Sequence, residues 1–140
     1  TAYRRQRQMC IRDRFGGCRS ATRIVFPKYL TYLPGSGVSF CNYMVEFVFP
    51  ENVKSISNYF FYGCISLKEI VIPDTVTTID FRAFWDCTSL TRITIPASVT
   101  KIDSTAFDGC KKDKLVWVVT PGSYAETYAK KNYYHYVYAK

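Results

Sequence analysis

The sequence predicts a right-handed solenoid, a stack of 23-residue coils with a parallel β-sheet on one face, short strands or 3₁₀ turns on the other, and a C-terminal helix-strand cap. Three observations predict it. Cysteines fall at Cys18, Cys41, Cys64, Cys87 and Cys110 and prolines at Pro27, Pro50, Pro73 and Pro96, each neighbour one period from the next. Apolar columns run between them at the same period: Phe15, Val38, Phe61, Phe84 and Phe107; Ala21, Met44, Leu67 and Leu90; Ile24, Phe47, Ile70 and Ile93; Phe26, Phe49, Ile72 and Ile95; Leu30, Val53, Val76 and Val99; Leu33, Ile56, Ile79 and Ile102. Past residue 122 the period stops and an Ala/Tyr/Lys-rich tail begins.

The columns form the predicted core, because one such coil cannot bury its own apolar face and must stack on the next. The stretch LTRITIP alternates with period two and stops at a proline, so it reads as one strand of a parallel sheet. A shorter strand is expected at VTTI, and a single helical or 3₁₀ turn at STAFDGC, with its capping Ser and its Ala-Phe pair. In coil 27–49, Pro34, Gly35, Ser36, Gly37 and Val38 replace the usual residues, which predicts an irregular turn. After Cys110 two extra residues are needed, within Lys111 to Lys114, before Leu115 and Pro121 return to register.

A length of 140 residues fits one domain, read as 1–14 irregular or non-native, 15–122 solenoid and 123–140 cap. No apolar run reaches the eighteen residues a membrane span needs, and the N-terminus lacks a signal peptide's apolar region. The net charge of +8 suggests nucleic-acid binding, but Arg4, Arg5, Arg7, Arg12 and Arg14 against Asp13 supply four of those charges. Residues 1–14, TAYRRQRQMCIRDR, show no apolar period. The string MCIRDR resembles translated sequencing-adapter read-through; the alternative is a degenerate first coil, because Cys10 falls one period before Leu33.

In the tail SYAETYAKK, Ser123 is placed to cap a helix, Tyr124, Ala125, Tyr128 and Ala129 to face inward, and Lys130 and Lys131 to suit the negative end of the helix dipole. YYHYVY reads as a closing strand. No comparable N-terminal cap is visible, so the chain is expected to come from a longer repeat polypeptide, whose signal peptide would lie upstream.

Chemistry has little foothold. Sulfurs stacked in a line at about 4.8 Å cannot surround one tetrahedral zinc, and parallel Cβ vectors suit disulfides poorly. Buried thiols donating weakly to neighbouring carbonyls are the simpler reading. The one histidine, His135, sits among tyrosines, while Asp80, Asp86, Asp103 and Asp108 occupy loop positions where Asp stabilises turns. Trp85, before Asp86 on the convex side, is a secondary surface candidate. Phosphate loops and the motifs of zinc proteases and serine hydrolases are absent, so neither an enzyme nor a cofactor or metal site is expected.

If Ile93 and Ile95 point inward, Arg92 and Thr94 point outward. This yields a column Arg23, Glu46, Glu69 and Arg92, ending near Trp117, beside Val25, Val48, Val71, Thr94 and Val119. An apolar stripe flanked by mixed charges, with an exposed Trp at one edge, can dock a partner. Alternatively, Val simply favours strands and the charges are cross-strand pairs.

The blocks IPDTVTTIDFRAFWDCTSLTRI and IPASVTKIDSTAFDGC resemble the BspA-like, or Treponema-type, leucine-rich repeats of surface proteins, over roughly residues 15–122. The tail GSYAETYAKKNYYHYVYAK resembles that family's C-terminal cap. The resemblance implies a secreted or cell-surface location and adhesion or binding to a protein or glycoprotein, such as a host or matrix component. The alternative is a structural spacer within a longer surface protein, with no ligand of its own. Nucleic acid and membrane insertion are not expected.

Overall fold

The computed structural model describes residues 19–140, so Cys18, Phe15 and everything before them lie outside it. The elements follow the chain as β1 (Arg23–Val25), β2 (Glu46–Val48), β3 (Ser55–Ile56), β4 (Glu69–Val71), β5 (Thr78–Ile79), β6 (Arg92–Ile95), β7 (Lys101–Ile102), β8 (Val116–Val119), α1 (Tyr124–Lys131) and β9 (His135–Tyr138). Strands one period apart pair in parallel, Ile70 opposite Ile93 and Ile56 opposite Ile79. The result is a solenoid with one long sheet face, a narrow second sheet β3-β5-β7, and a convex turn face.

The expected columns become the core: Val38, Phe61, Phe84 and Phe107 are buried, as are Met44, Leu67 and Leu90, and Leu33, Ile56, Ile79 and Ile102. The Phe61, Phe84 and Phe107 rings stack at 4.9 and 5.1 Å. The thiols take the role expected of them. Cys64, Cys87 and Cys110 donate in turn to the carbonyls of Val38, Phe61 and Phe84 in the preceding coil, at 3.1–3.2 Å. Those of Cys64 and Cys87 have raised pKa values because burial penalises the thiolate, which keeps them as donors.

The convex turns solve a backbone accounting problem that a helix would solve differently. In 57–64, alternate N–H groups bond three positions back within the coil, from Phe60, Tyr62 and Cys64, while those of Tyr59, Phe61 and Gly63 donate to the next coil's Phe81, Ala83 and Trp85 carbonyls. The alternation uses left-handed residues at Ser36, Tyr59 and Arg82 and again at Phe40, Gly63, Asp86 and Gly109, each set recurring once per coil. In the last coil the Thr105 N–H is met instead by Asp103 Oδ1 at 2.9 Å. Asp103, rather than the expected Ser104, is the capping side chain of that turn.

Coil 27–49 keeps this turn pattern despite its sequence: Gly37, Ser39 and Cys41 bond three positions back, and Ser36, Val38 and Phe40 donate forward. Gly37 is there because of the neighbour. Phe60 stands where later coils have Ala83 and Ala106, and its ring lies 2.4 Å from where a Cβ on Gly37 would sit. Phe60 packs on Phe26, Phe47 and Phe61 at 4.8–5.7 Å. The long sheet divides beside this cluster, into β1-β2 and β4-β6-β8-β9.

The cap forms as its sequence predicts. Ser123 Oγ accepts from Glu126 N–H at 3.2 Å, Ala125 and Ala129 are buried, Tyr128 is half-buried and β9 pairs with β8. Tyr124 departs from the inward stripe: it is partly exposed, with its hydroxyl oxygen accepting from Ile102 N–H at 3.4 Å. Glu126 ties the cap together by accepting from Lys130 at 2.6 Å, Gly122 N–H at 2.7 Å and the Tyr138 hydroxyl at 2.9 Å. The Lys130 ammonium foremost, then these donors, lower its pKa to about 2. A pKa lowered in the folded state gives stabilisation that is complete above the ordinary value of 4.5 and lost as pH falls from there toward 2. Thermal melts at about pH 6 and about pH 2 are therefore expected to show a larger drop for the parent than for Glu126→Gln. Equal drops would show that this carboxylate does not hold the cap.

Candidate functional site

The outward residues of the sheet face lie largely where alternation predicts. Arg23, Glu46, Glu69 and Arg92 are exposed, Val25 and Val71 are exposed, and Val48 and Thr94 are half-buried. Val71 reaches 59% exposure in the middle of the stripe. The charges pair across coils: Arg23 Nε lies 2.8 Å from Glu46 Oε2, and Arg92 Nε 3.6 Å from Glu69 Oε1. Both pairs are solvent-exposed and worth at most about 1 kcal/mol each. The sheet divides between β2, which carries Glu46, and β4, which carries Glu69, and along the chain the column reads cation, anion, anion, cation.

Trp117 does not belong to this face. The register pairs Arg92 with Val116, Ile93 with Trp117 and Ile95 with Val119, so Trp117 and Val119 both point inward and are fully buried. Leu115 and Pro121 stand one period and two further positions after Leu90 and Pro96, but the strand between them pairs with only one further position of offset. A slip of a single position sends every side chain to the opposite face. Trp117 packs against Phe107, Tyr128 and Tyr134 at 4.8–5.5 Å, and its Nε1–H has no partner among the described residues. Beyond Arg92 the outward column continues through Val116 and His135.

A second exposed feature, on the convex side, was only half visible in the sequence as Trp85. Tyr62 stacks on Trp85 at 4.7 Å and 11°, Phe40 meets Tyr62 at 4.4 Å, and the Arg82 guanidinium covers the Trp85 ring at 4.0 Å. Tyr59 and Phe81 adjoin at 5.4 Å. These rings cover each other's faces, so the row works mainly as cross-coil packing. Phe40 and Tyr62 belong to different sequence columns, which hides the row from a reading by period; the recurring Tyr62 and Trp85 were the available signal.

Among the described residues no helix is long and apolar enough to cross a membrane. The family described as the BspA type leucine rich repeat region matches residues 11–117 in six copies. No curated protein matches the chain. Three solved structures are similar. A leucine-rich repeat protein of T. pallidum has a TM-score of 0.69 and 28% identity, over 74% of this chain and 48% of that one. A leucine rich cell surface protein from Faecalibacterium prausnitzii has a TM-score of 0.63 and 26% identity, over 78% and 34%. A leucine-rich repeat protein from Bacteroides ovatus has a TM-score of 0.60 and 27% identity, over 76% and 27%. The chain thus spans less than half of each.

Proposed function

Because the chain belongs to the BspA-type leucine-rich repeat family, we propose that it is a recognition module of a cell-surface or secreted protein, docking a protein or glycoprotein on its sheet face. The observation that carries this reading is the outward stripe of exposed Val25 and Val71 with half-buried Val48 and Thr94, bordered by Arg23, Glu46, Glu69 and Arg92. Apolar residues aligned on one open face, rather than scattered singly, make a surface that a partner can cover. A rim of paired charges then adds orientation more than affinity. The location rests on the Faecalibacterium relative, which is described as a cell surface protein.

The pairing of Arg23 with Glu46 and of Glu69 with Arg92 favours a second reading, spacer repeats whose surface charges are satisfied among themselves. The test is solid-phase binding to purified matrix and cell-surface glycoproteins by the parent and by a Val71→Asp, Arg92→Ala variant. Both positions are exposed, so the variant is expected to stay within about 1 kcal/mol of the parent in urea melts. At least a tenfold loss of binding by the folded variant supports the sheet face. Equal binding by parent and variant would move the partner to another surface, and no binding by the parent favours the spacer.

A further inference from the structure

The cap carries a second surface, independent of the sheet face. The two residues that break the 23-residue period fall within Lys111–Lys114, an exposed turn closed by Lys114 N–H and Leu115 N–H donating to the Lys111 carbonyl at 3.0 Å. Lys112 Nζ lies 4.8 Å above the Tyr134 ring, which brings this turn against the segment leaving α1. Lys131 is exposed at the end of that helix. Among the described residues none of Lys111, Lys112, Lys114 and Lys131 pairs with a carboxylate; Lys54, Lys68 and Lys101 are likewise unpaired but lie one or two to a coil, whereas these four gather at the cap. Glu126, the acid of α1, is already occupied by Lys130, Gly122 and Tyr138. The turn also carries exposed Asp113, and exposed Asp108 lies near Tyr134, so the cap's outer face is mixed in sign with cations in excess, four lysines against two aspartates.

Tyr133 points the same way on separate grounds. α1 ends with Tyr133 N–H donating to the Lys130 carbonyl at 3.2 Å and Tyr134 N–H to the Ala129 carbonyl at 2.9 Å. That geometry puts Tyr133 at φ 59°, a position where glycine is the usual residue. Its side chain is 88% exposed, so packing does not offset the backbone strain. The backbone conformation is accounted for by these two helix-ending bonds, so what singles out Tyr133 is its side chain, a large ring left open to solvent beside the lysines.

We infer that Lys111, Lys112, Lys114, Lys131 and Tyr133 form a binding surface for an acidic polysaccharide, the ammonium groups taking its carboxylates or sulfates and the Tyr133 ring lying on a sugar face. A polyanion fits because several unpaired cations on one end of the molecule sum their fields over about a Debye length of 10 Å. The ring favours a sugar chain, whose C–H faces can stack on it, over a plain acidic peptide.

The test uses the whole chain with heparin as the acidic polysaccharide, and dextran, poly-glutamate and single-stranded DNA beside it. The parent is expected to bind heparin at about 0.15 M NaCl, and the variant Lys111→Ala, Lys112→Ala, Lys114→Ala at least tenfold more weakly. The slope of log affinity against log salt should fall by roughly 2 to 3, one for each cation removed. Tyr133→Gly should raise the melting temperature by roughly 3 °C while weakening heparin binding severalfold. Equal heparin binding by parent and triple-lysine variant would overturn the inference, assigning the affinity to Arg4, Arg5, Arg7, Arg12 and Arg14, which both carry. Binding of poly-glutamate or DNA as tight as heparin, with Tyr133→Gly unchanged on all three, would equally overturn it in favour of plain charge attraction.

Discussion

Trp117→Ala is expected to lower stability by about 3–5 kcal/mol, the range for removing a large aromatic from a packed interior. The side chain is fully buried, and the Phe107, Tyr128 and Tyr134 rings around it join the last coil, α1 and the approach to β9. Its loss therefore empties the joint between solenoid and cap. Trp117→Phe should cost much less, because it keeps most of the ring and removes an indole N–H that has no partner among the described residues. Urea unfolding of the parent and both variants checks this. A loss below about 1 kcal/mol for Trp117→Ala would mean that the cap is not held by this cluster.

The second large effect is a coupling. Gly37→Ala would place a methyl group 2.4 Å from Phe60 Cε2 and 3.0 Å from the Pro34 carbonyl oxygen. Phe60 is wedged among Phe26, Phe47 and Phe61 and has no room to withdraw, so the substitution should cost about 1–3 kcal/mol by overpacking. Phe60→Ala alone should cost about 3–5 kcal/mol through the cavity it leaves. The double variant is expected to be no less stable than Phe60→Ala, because the added methyl then meets space rather than a ring. A double-mutant cycle measures this directly, and strictly additive costs would show that the two residues do not share one volume.

Period carried most of the fold into view. Once Cys41, Cys64, Cys87 and Cys110 are aligned, the inward columns follow, and each can be read one residue at a time. Period fails where it is interrupted. Anchoring β8 on Leu115 and Pro121 sets Trp117 opposite Arg92, and nothing in the run Val116, Trp117, Val118, Val119 contradicts that, because four apolar residues in a row carry no alternation. The pairing of Ile93 with Trp117 depends on how the inserted turn closes, a matter of backbone geometry. The sheet's division beside Phe47 was hidden for a related reason. Phe and Ile are equivalent as apolar letters, yet only the larger ring brings Phe26, Phe47 and Phe60 into one cluster.

The alternating hydrogen bonds of the convex turns give that face of the array a polarity. In that segment each coil donates its spare N–H groups forward, as Ser36, Val38 and Phe40 do to Asn58, Phe60 and Tyr62. Elsewhere the polarity reverses: Thr77, Asp80 and Thr100 donate back to Lys54, Ile56 and Thr77 in the preceding coil. A cut between any two coils therefore orphans N–H groups on both sides, which folded proteins seldom tolerate. Each end of such a stack needs a terminator with acceptors of its own, as Asp103 is toward Thr105.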